Sequence, residues 1–135
     1  SCTGGLITGL LTDIAGSSDV IECGFITYSN EAKRQMLDVS ETLLECFGAV
    51  SEEVARAMAE GAINNSYARI TASTTGVAGP GGGNKNKPVG LVHIAVACEH
   101  YKTLHECHIF KGDRQDIREQ AVAASIALLI RMLVK

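Results

Sequence analysis

Two rhythms of apolar residues alternate along the chain. Residues 4–13 set Leu6, Ile7, Leu10 and Leu11 on one helical stripe, which Ala15-Gly16-Ser17-Ser18 ends. Residues 20–27 are rich in β-branched side chains and predict a strand, with Gly24 as a bulge or close-approach point. Residues 30–37 predict a short helix with Asn30 as N-cap and Met36 and Leu37 facing inward, and residues 40–47 a second one closed by Gly48. Ser51 then caps a longer helix. Glu52 and Glu53 suit its positive end, and Val54, Met58 and Ala62 form its buried line before it frays at Asn64-Asn65.

The second half is read the same way. Residues 67–73 alternate Ala68, Ile70 and Ala72 as a strand does and lead into a glycine-rich loop at 75–83, which residues 85–88 continue. Residues 89–98 are almost continuously apolar, as in a strand covered on both faces. After a turn at 99–102, residues 103–110 predict a second strand and an antiparallel hairpin. Gly112-Asp113 caps a long helix reaching about Val134, with Ile117, Ala121, Ala124 and Leu128 on one stripe. This order predicts an α/β fold, a three-layer α/β/α sandwich around a mixed, mostly parallel sheet of about five strands. Ligands in such sheets bind where strand ends lead into helices.

Composition narrows the function more than the fold. The 135 residues suffice for one domain, expected to span 1–135. Aromatic content of 4% with no Trp argues against a stacking platform for single-stranded nucleic acid, and a net charge of −3 against a phosphate-backbone partner. The five cysteines, at 2, 23, 46, 98 and 107, include no CxxC pair; an odd number of free thiols fits a reduced, cytoplasmic setting. No signal-peptide pattern is visible, and the apolar run at 121–130 is far short of the ~20 residues a membrane span needs.

Three segments offer chemistry. Ser1-Cys2-Thr3-Gly4-Gly5 places a hydroxyl and a thiol just before a helix N-terminus, whose free N–H groups favour negative charge. A serine hydroxyl needs a base, and Lys33 can serve if burial lowers its pKa, with Tyr28 orienting the hydroxyl or relaying its proton. Cys2 is a rival nucleophile. The α-amino group of Ser1 is a rival base if Ser1 is a processed N-terminus. The glycines of 75–83 can bring N–H groups to an anion, although they match neither GxxxxGK[ST] nor GxGxxG, with Lys85, Lys87, Lys111 and Arg114 adding charge. His105, Cys107 and His108 do not predict a metal site, because His108 points to the other face of the strand from the first two.

Taken in order, Ser1-Cys2-Thr3-Gly4-Gly5, Gly16-Ser17-Ser18, residues 24–33, Gly48-Ala49-Val50-Ser51, Thr75-Gly76-Val77-Ala78-Gly79-Pro80 with Gly82-Gly83, Lys87-Pro88-Val89-Gly90 and Phe110-Lys111-Gly112-Asp113-Arg114 resemble the C-terminal domain of the competence/damage-inducible CinA family. That domain is also found as stand-alone nicotinamide-nucleotide amidohydrolases, PncC. The resemblance implies an α/β/α fold and hydrolysis of the carboxamide of nicotinamide mononucleotide to nicotinic acid mononucleotide and ammonia. It puts the family's serine, tyrosine and lysine on Ser1, Tyr28 and Lys33; with Ser1 as nucleophile, Thr3, Gly4 and Gly5 are expected at the oxyanion. Thr75, Gly76, Gly79, Gly82, Gly83 and Arg114 are then expected to hold the nucleotide. It implies a homo-oligomer acting on a small nucleotide; with the composition and spacing above, no cofactor, metal, nucleic acid or membrane partner is expected. The alternative it leaves open is a non-catalytic nucleotide-binding or regulatory module linked to competence or DNA damage. Two departures stand out: the family's first helix and strand, ending in a Glu before the serine, do not precede Ser1, and Gly81 replaces a frequent acidic residue.

Overall fold

The computed structural model describes residues 1–135. Helix α1 spans Leu6–Thr12 and is followed by a 3-10 turn at Ser17–Asp19; α2 is Asn30–Leu37, α3 Glu41–Phe47 and α4 Glu52–Asn64. Strands β1 (Ile70–Gly76), β2 (Leu91–Cys98) and β3 (Leu104–Ile109) precede α5 (Arg114–Leu133). The sheet has three strands in the order β1-β2-β3, and both pairings are antiparallel. Its register sets Thr74 opposite Ile94, and His93 opposite Cys107.

Helices cover both faces, because β2 is apolar on both. Its even positions Val92, Ile94 and Val96 meet Ile117, Ala121, Leu128 and Met132 of α5. The odd positions Ala95 and Ala97 are small, so Ala55 and Ala59 bring α4 close against the other face. A further cluster of Leu37, Val39, Val54, Met58 and Ala62 joins α2 to α4. At Gly61 of that contact, a Cβ would lie 1.9 Å from the Leu37 carbonyl oxygen, so only glycine lets the helices approach this closely.

The expected mostly parallel, five-stranded sheet is not what forms. Residues 20–27 adopt no regular structure: Val20 and Ile26 are exposed and no strand lies beside them to complete a ladder. β-propensity reflects packing against neighbours, and the neighbours are missing here. Without that strand α2 to α4 are not a crossover between parallel strands. The hairpin of β2 and β3 is as expected, with β1 starting at Ile70 and β2 at Leu91, slightly later than the pattern suggests.

Two local expectations also change. Ser29, not Asn30, caps α2, its hydroxyl accepting the Ala32 N–H at 3.0 Å. The inward positions of α2 are Lys33 and Leu37, four residues apart on one face, while Met36 points outward. The caps at Ser51 and Asp113 are as expected, and Ser40 caps α3 rather than belonging to it; Asp113 and Asp116 bond reciprocally in a capping box that fixes where α5 begins. The stripe of α1 buries no residue. Its Leu11 instead lines an apolar groove of about 560 Å³ with Ile21, Ile26, Ile70, Leu129 and Leu133. No helix is long and apolar enough to cross a membrane.

Candidate active site

The ends of β1 and α5 bring the three sequence segments together. A cleft of about 230 Å³ is lined by Ser1, Cys2, Tyr28, Asn30, Lys33, Ala49, Val50, Thr75, Gly76, Ala78 and Arg114. Ser1, Tyr28, Lys33, Thr75, Gly76 and Arg114 thus share one space although the first and last are more than a hundred positions apart in sequence.

Ser1 sits at the edge of the sheet. Its nitrogen donates to the Thr74 carbonyl, which holds the residue beside β1. Next to it, the buried Thr3 hydroxyl bonds to that of Thr74 at 3.1 Å. The chain then turns sharply. The Gly4 N–H donates to the Ser1 carbonyl and the Leu6 N–H to that of Thr3, each at 3.0 Å, with Gly4 and Gly5 at φ of 57° and 93°, in the left-handed region that suits glycine. Gly4 therefore supplies the shape of the turn, its N–H being already committed. The N–H groups of Cys2, Thr3 and Gly5 have no backbone acceptor and remain available to an anion.

Lys33 is the least expected side chain in the interior. It is 2% exposed, held by its place on the inner face of α2. Its Nζ donates to the carbonyls of Thr27 (3.0 Å) and Tyr28 (3.2 Å), and no carboxylate pairs with it. Burial pushes its pKa below the ordinary lysine value, against a smaller upward pull from Cys2. A lysine without an anionic partner in such a place is inclined to give up its proton. The Cys2 thiol is moved the other way. Burial raises it, more than the nearby Ser1 amine, a Thr74 hydrogen bond and Arg118 lower it. Cys2 stays a packed thiol, which favours Ser1 as the nucleophile.

Tyr28 meets Lys33 through its backbone carbonyl. Its side chain is largely exposed, and its hydroxyl accepts from Arg114 Nη2 at 3.3 Å. Arg114 also donates from Nη1 to the Gly79 carbonyl at 2.7 Å, so it ties the glycine-rich loop to the tyrosine segment. Thr75 is buried in the cleft wall, its hydroxyl donating to the Ala49 carbonyl at 2.7 Å in the segment before α4. Gly76 allows β1 to close against β2, since a Cβ there would lie 2.8 Å from the Leu91 oxygen. Gly82 and Gly83 lie on the exposed outer part of the loop, outside the cleft, as does Gly81.

Sequence reasoning missed three contributors: Thr27, whose carbonyl holds Lys33; Thr74, which anchors Ser1 and Thr3; and Arg118, whose guanidinium grips the nucleophile turn. Only Arg118 carried a usable signal, standing one helical turn after Arg114 on the same face of α5. No group of His, Cys, Asp or Glu converges to hold a metal ion; His93 and His105 bond to each other across the sheet at 3.0 Å, while His108 bonds to Glu106 on the other face.

Known proteins match this arrangement along nearly all of its length. The family model described as the CinA C-terminal domain covers residues 1–133. A relative from Enterobacter agglomerans named nicotinamide-nucleotide amidohydrolase PncC is 46% identical over 135 residues, covering 100% of this chain and 82% of its own. A CinA-like protein of Syntrophobacter fumaroxidans is 51% identical over 133 residues, which are 98% of this chain but 31% of that protein. The chain spans about a third of the length of several curated relatives it matches, which carry only CinA-like or competence-damage names. Among solved structures, the competence/damage inducible protein CihA from Agrobacterium tumefaciens superposes with a TM-score of 0.95 at 48% identity, over 97% of this chain and 80% of that one. A CinA-superfamily protein from Escherichia coli does so at 0.92 and 34%, over 98% and 76%. Sequence and fold agree, and the chain belongs to the CinA C-terminal domain family.

Proposed function

We propose that the chain hydrolyses the carboxamide of nicotinamide mononucleotide, releasing nicotinic acid mononucleotide and ammonia. The observation that carries this reading is a buried, carboxylate-free Lys33 lining the same cleft as Ser1. It combines with the PncC relative's name to give a substrate and a mechanism. Neutral Lys33 takes the Ser1 hydroxyl proton as the oxygen attacks the amide carbon. The N–H groups of Cys2, Thr3 and Gly5, which have no backbone acceptor, are assigned to the developing oxyanion, each such donor being worth about 3 kcal/mol in comparable sites. The Lys33 ammonium then returns the proton to the leaving nitrogen, ammonia departs, and water attacks the acyl-serine with Lys33 again as base. Thr75 and Gly76 line the substrate side of the cleft. Arg114 and the loop it ties at Gly79 hold the ribose phosphate, and binding at that end orients the amide. The enzyme works as a cytoplasmic homo-oligomer, an assembly that light scattering measures directly.

Ammonia release from nicotinamide mononucleotide by the purified chain tests the reading. The expected result is turnover in the wild type and none above background in Ser1→Ala, with the nucleotide still bound by calorimetry. Nucleotide binding without ammonia from the wild type supports the non-catalytic module instead. Full ammonia release by Ser1→Ala removes Ser1 from the chemistry.

A further inference from the structure

Arg118 belongs to none of the motifs that mark the site, yet its side chain grips the nucleophile turn at two carbonyls. Its Nε donates to the Cys2 carbonyl at 3.1 Å and its Nη2 to the Thr3 carbonyl at 3.2 Å, across more than a hundred residues of sequence. These are charge-assisted bonds from one planar group to two successive carbonyls. The turn itself is short of other support. Gly4 and Gly5 give it no side chains, and it rests on its own Gly4 and Leu6 hydrogen bonds and on Thr74. A Cβ on Gly4 would come 3.2 Å from Arg118 Nη2, so the guanidinium packs closely against the turn.

The helix that carries Arg118 is well anchored. Ile117 and Ala121 on either side of it are buried in the main core, and the capping box fixes the helix start. Arg114, one turn earlier, holds Gly79 and meets Tyr28. One row of α5 thus clamps the glycine-rich loop at one turn and the nucleophile turn at the next.

We infer that Arg118 is a positioning residue for the nucleophile: it fixes the Ser1-to-Gly5 turn through the Cys2 and Thr3 carbonyls. A guanidinium on the Cys2 carbonyl also draws electron density from the Cys2–Thr3 peptide, making the free Thr3 N–H a stronger donor toward an anion. The consequence for catalysis rests on the amidase reading; the clamp on the turn does not.

The test pairs two readouts on Arg118→Ala and Arg118→Lys: ammonia release from nicotinamide mononucleotide, and amide hydrogen exchange at Gly4 and Leu6. In Arg118→Ala, kcat falls roughly 10- to 100-fold, the scale of a small misplacement of reacting groups, while KM stays within about twofold. Arg118→Lys, which keeps a cation but not the fork, falls between the two. Exchange at Gly4 and Leu6 quickens at least about tenfold, with β2 amides unchanged. Unchanged kcat in an active background, or a raised KM with kcat intact, overturns the inference. If the wild type releases no ammonia, the amidase reading fails and exchange alone decides: unaltered exchange at Gly4 and Leu6 refutes the clamp. Should Arg118→Ala not fold, Arg118→Lys carries both measurements with the same criteria.

Discussion

The sandwich of α4, the sheet and α5 and the first 29 residues are built on opposite terms. In the sandwich, Val54, Ala55, Ala59, Ile94, Ala95, Ile117 and Ala121 are all within 1% of complete burial. In the first 29 residues only Cys2, Thr3 and Thr27 are buried, while Leu10, Ile14, Val20 and Ile26 are exposed. Yet the loosely packed part supplies Ser1 and Tyr28, and the well packed part supplies the groups that hold them. Thr74 of β1 anchors Ser1, Arg118 of α5 the turn after it, and Arg114 the Tyr28 hydroxyl. Reactive groups sit on segments shaped by turns, and their precision is borrowed from a rigid scaffold through a few polar pins.

The largest expected effect tests whether these pins converge on one reaction. Ser1→Ala and Lys33→Met each lower ammonia release by at least about a thousandfold, because nucleophile and base act as a unit and losing either costs as much as losing both. Combining them lowers it no further, which a single-turnover assay of the double variant checks.

Stability is expected to divide along the same line. Ile117→Ala, which empties part of the main core, costs about 2–5 kcal/mol, and Leu10→Ala, on an α1 that buries nothing, less than about 0.5 kcal/mol. Urea unfolding of both variants measures the contrast. Equal costs would erase it.

A smaller effect concerns Lys33 and pH. Its pKa in the folded chain lies below the unfolded value of 10.5, because burial opposes its charge. Between the two pKa values the unfolded state binds more protons, so stability rises with pH there and levels off above the unfolded pKa. Lys33→Met removes that slope and leaves a protein at least as stable at pH 7 but inactive, a trade between stability and activity that thermal melts across pH reveal.

The smallest concerns Thr27. Its carbonyl holds Lys33, while its hydroxyl is buried without a partner. Thr27→Val keeps the carbonyl and removes an unsatisfied polar group, so stability is expected to hold or rise by up to about 1 kcal/mol with activity retained. Loss of activity in this variant would assign the hydroxyl a role that its contacts do not suggest.

The same contrast explains what the sequence made legible. The helices with polar caps, the β2–β3 hairpin and the long α5 were readable because their periodicity and their packing agree. Residues 20–27 looked like a strand because Val20, Ile21 and Ile26 are β-formers, but a strand is defined by a partner, and periodicity says nothing about partners. At the site, Ser1, Tyr28, Lys33 and Arg114 were visible as motif residues. That Lys33 faces inward was not, since an apolar pattern assigns the buried face of α2 to Met36 and Leu37 and treats lysine as solvated. Nor were the carbonyls of Thr27 and Tyr28, or the grip of Arg118, because backbone acceptors and long-range contacts leave no mark on residue type.

The central claim is that the packed part of the molecule keeps Lys33 buried, unpaired and ready to act as a base. The most direct test is an NMR titration of the Lys33 side chain in lysine-labelled protein, with Lys33→Met to assign the signal. Lys33 is expected to lose its proton below the ordinary lysine value of 10.5, with ammonia release rising through the same pH range. Titration of Lys33 at the ordinary lysine value of 10.5 would contradict the account.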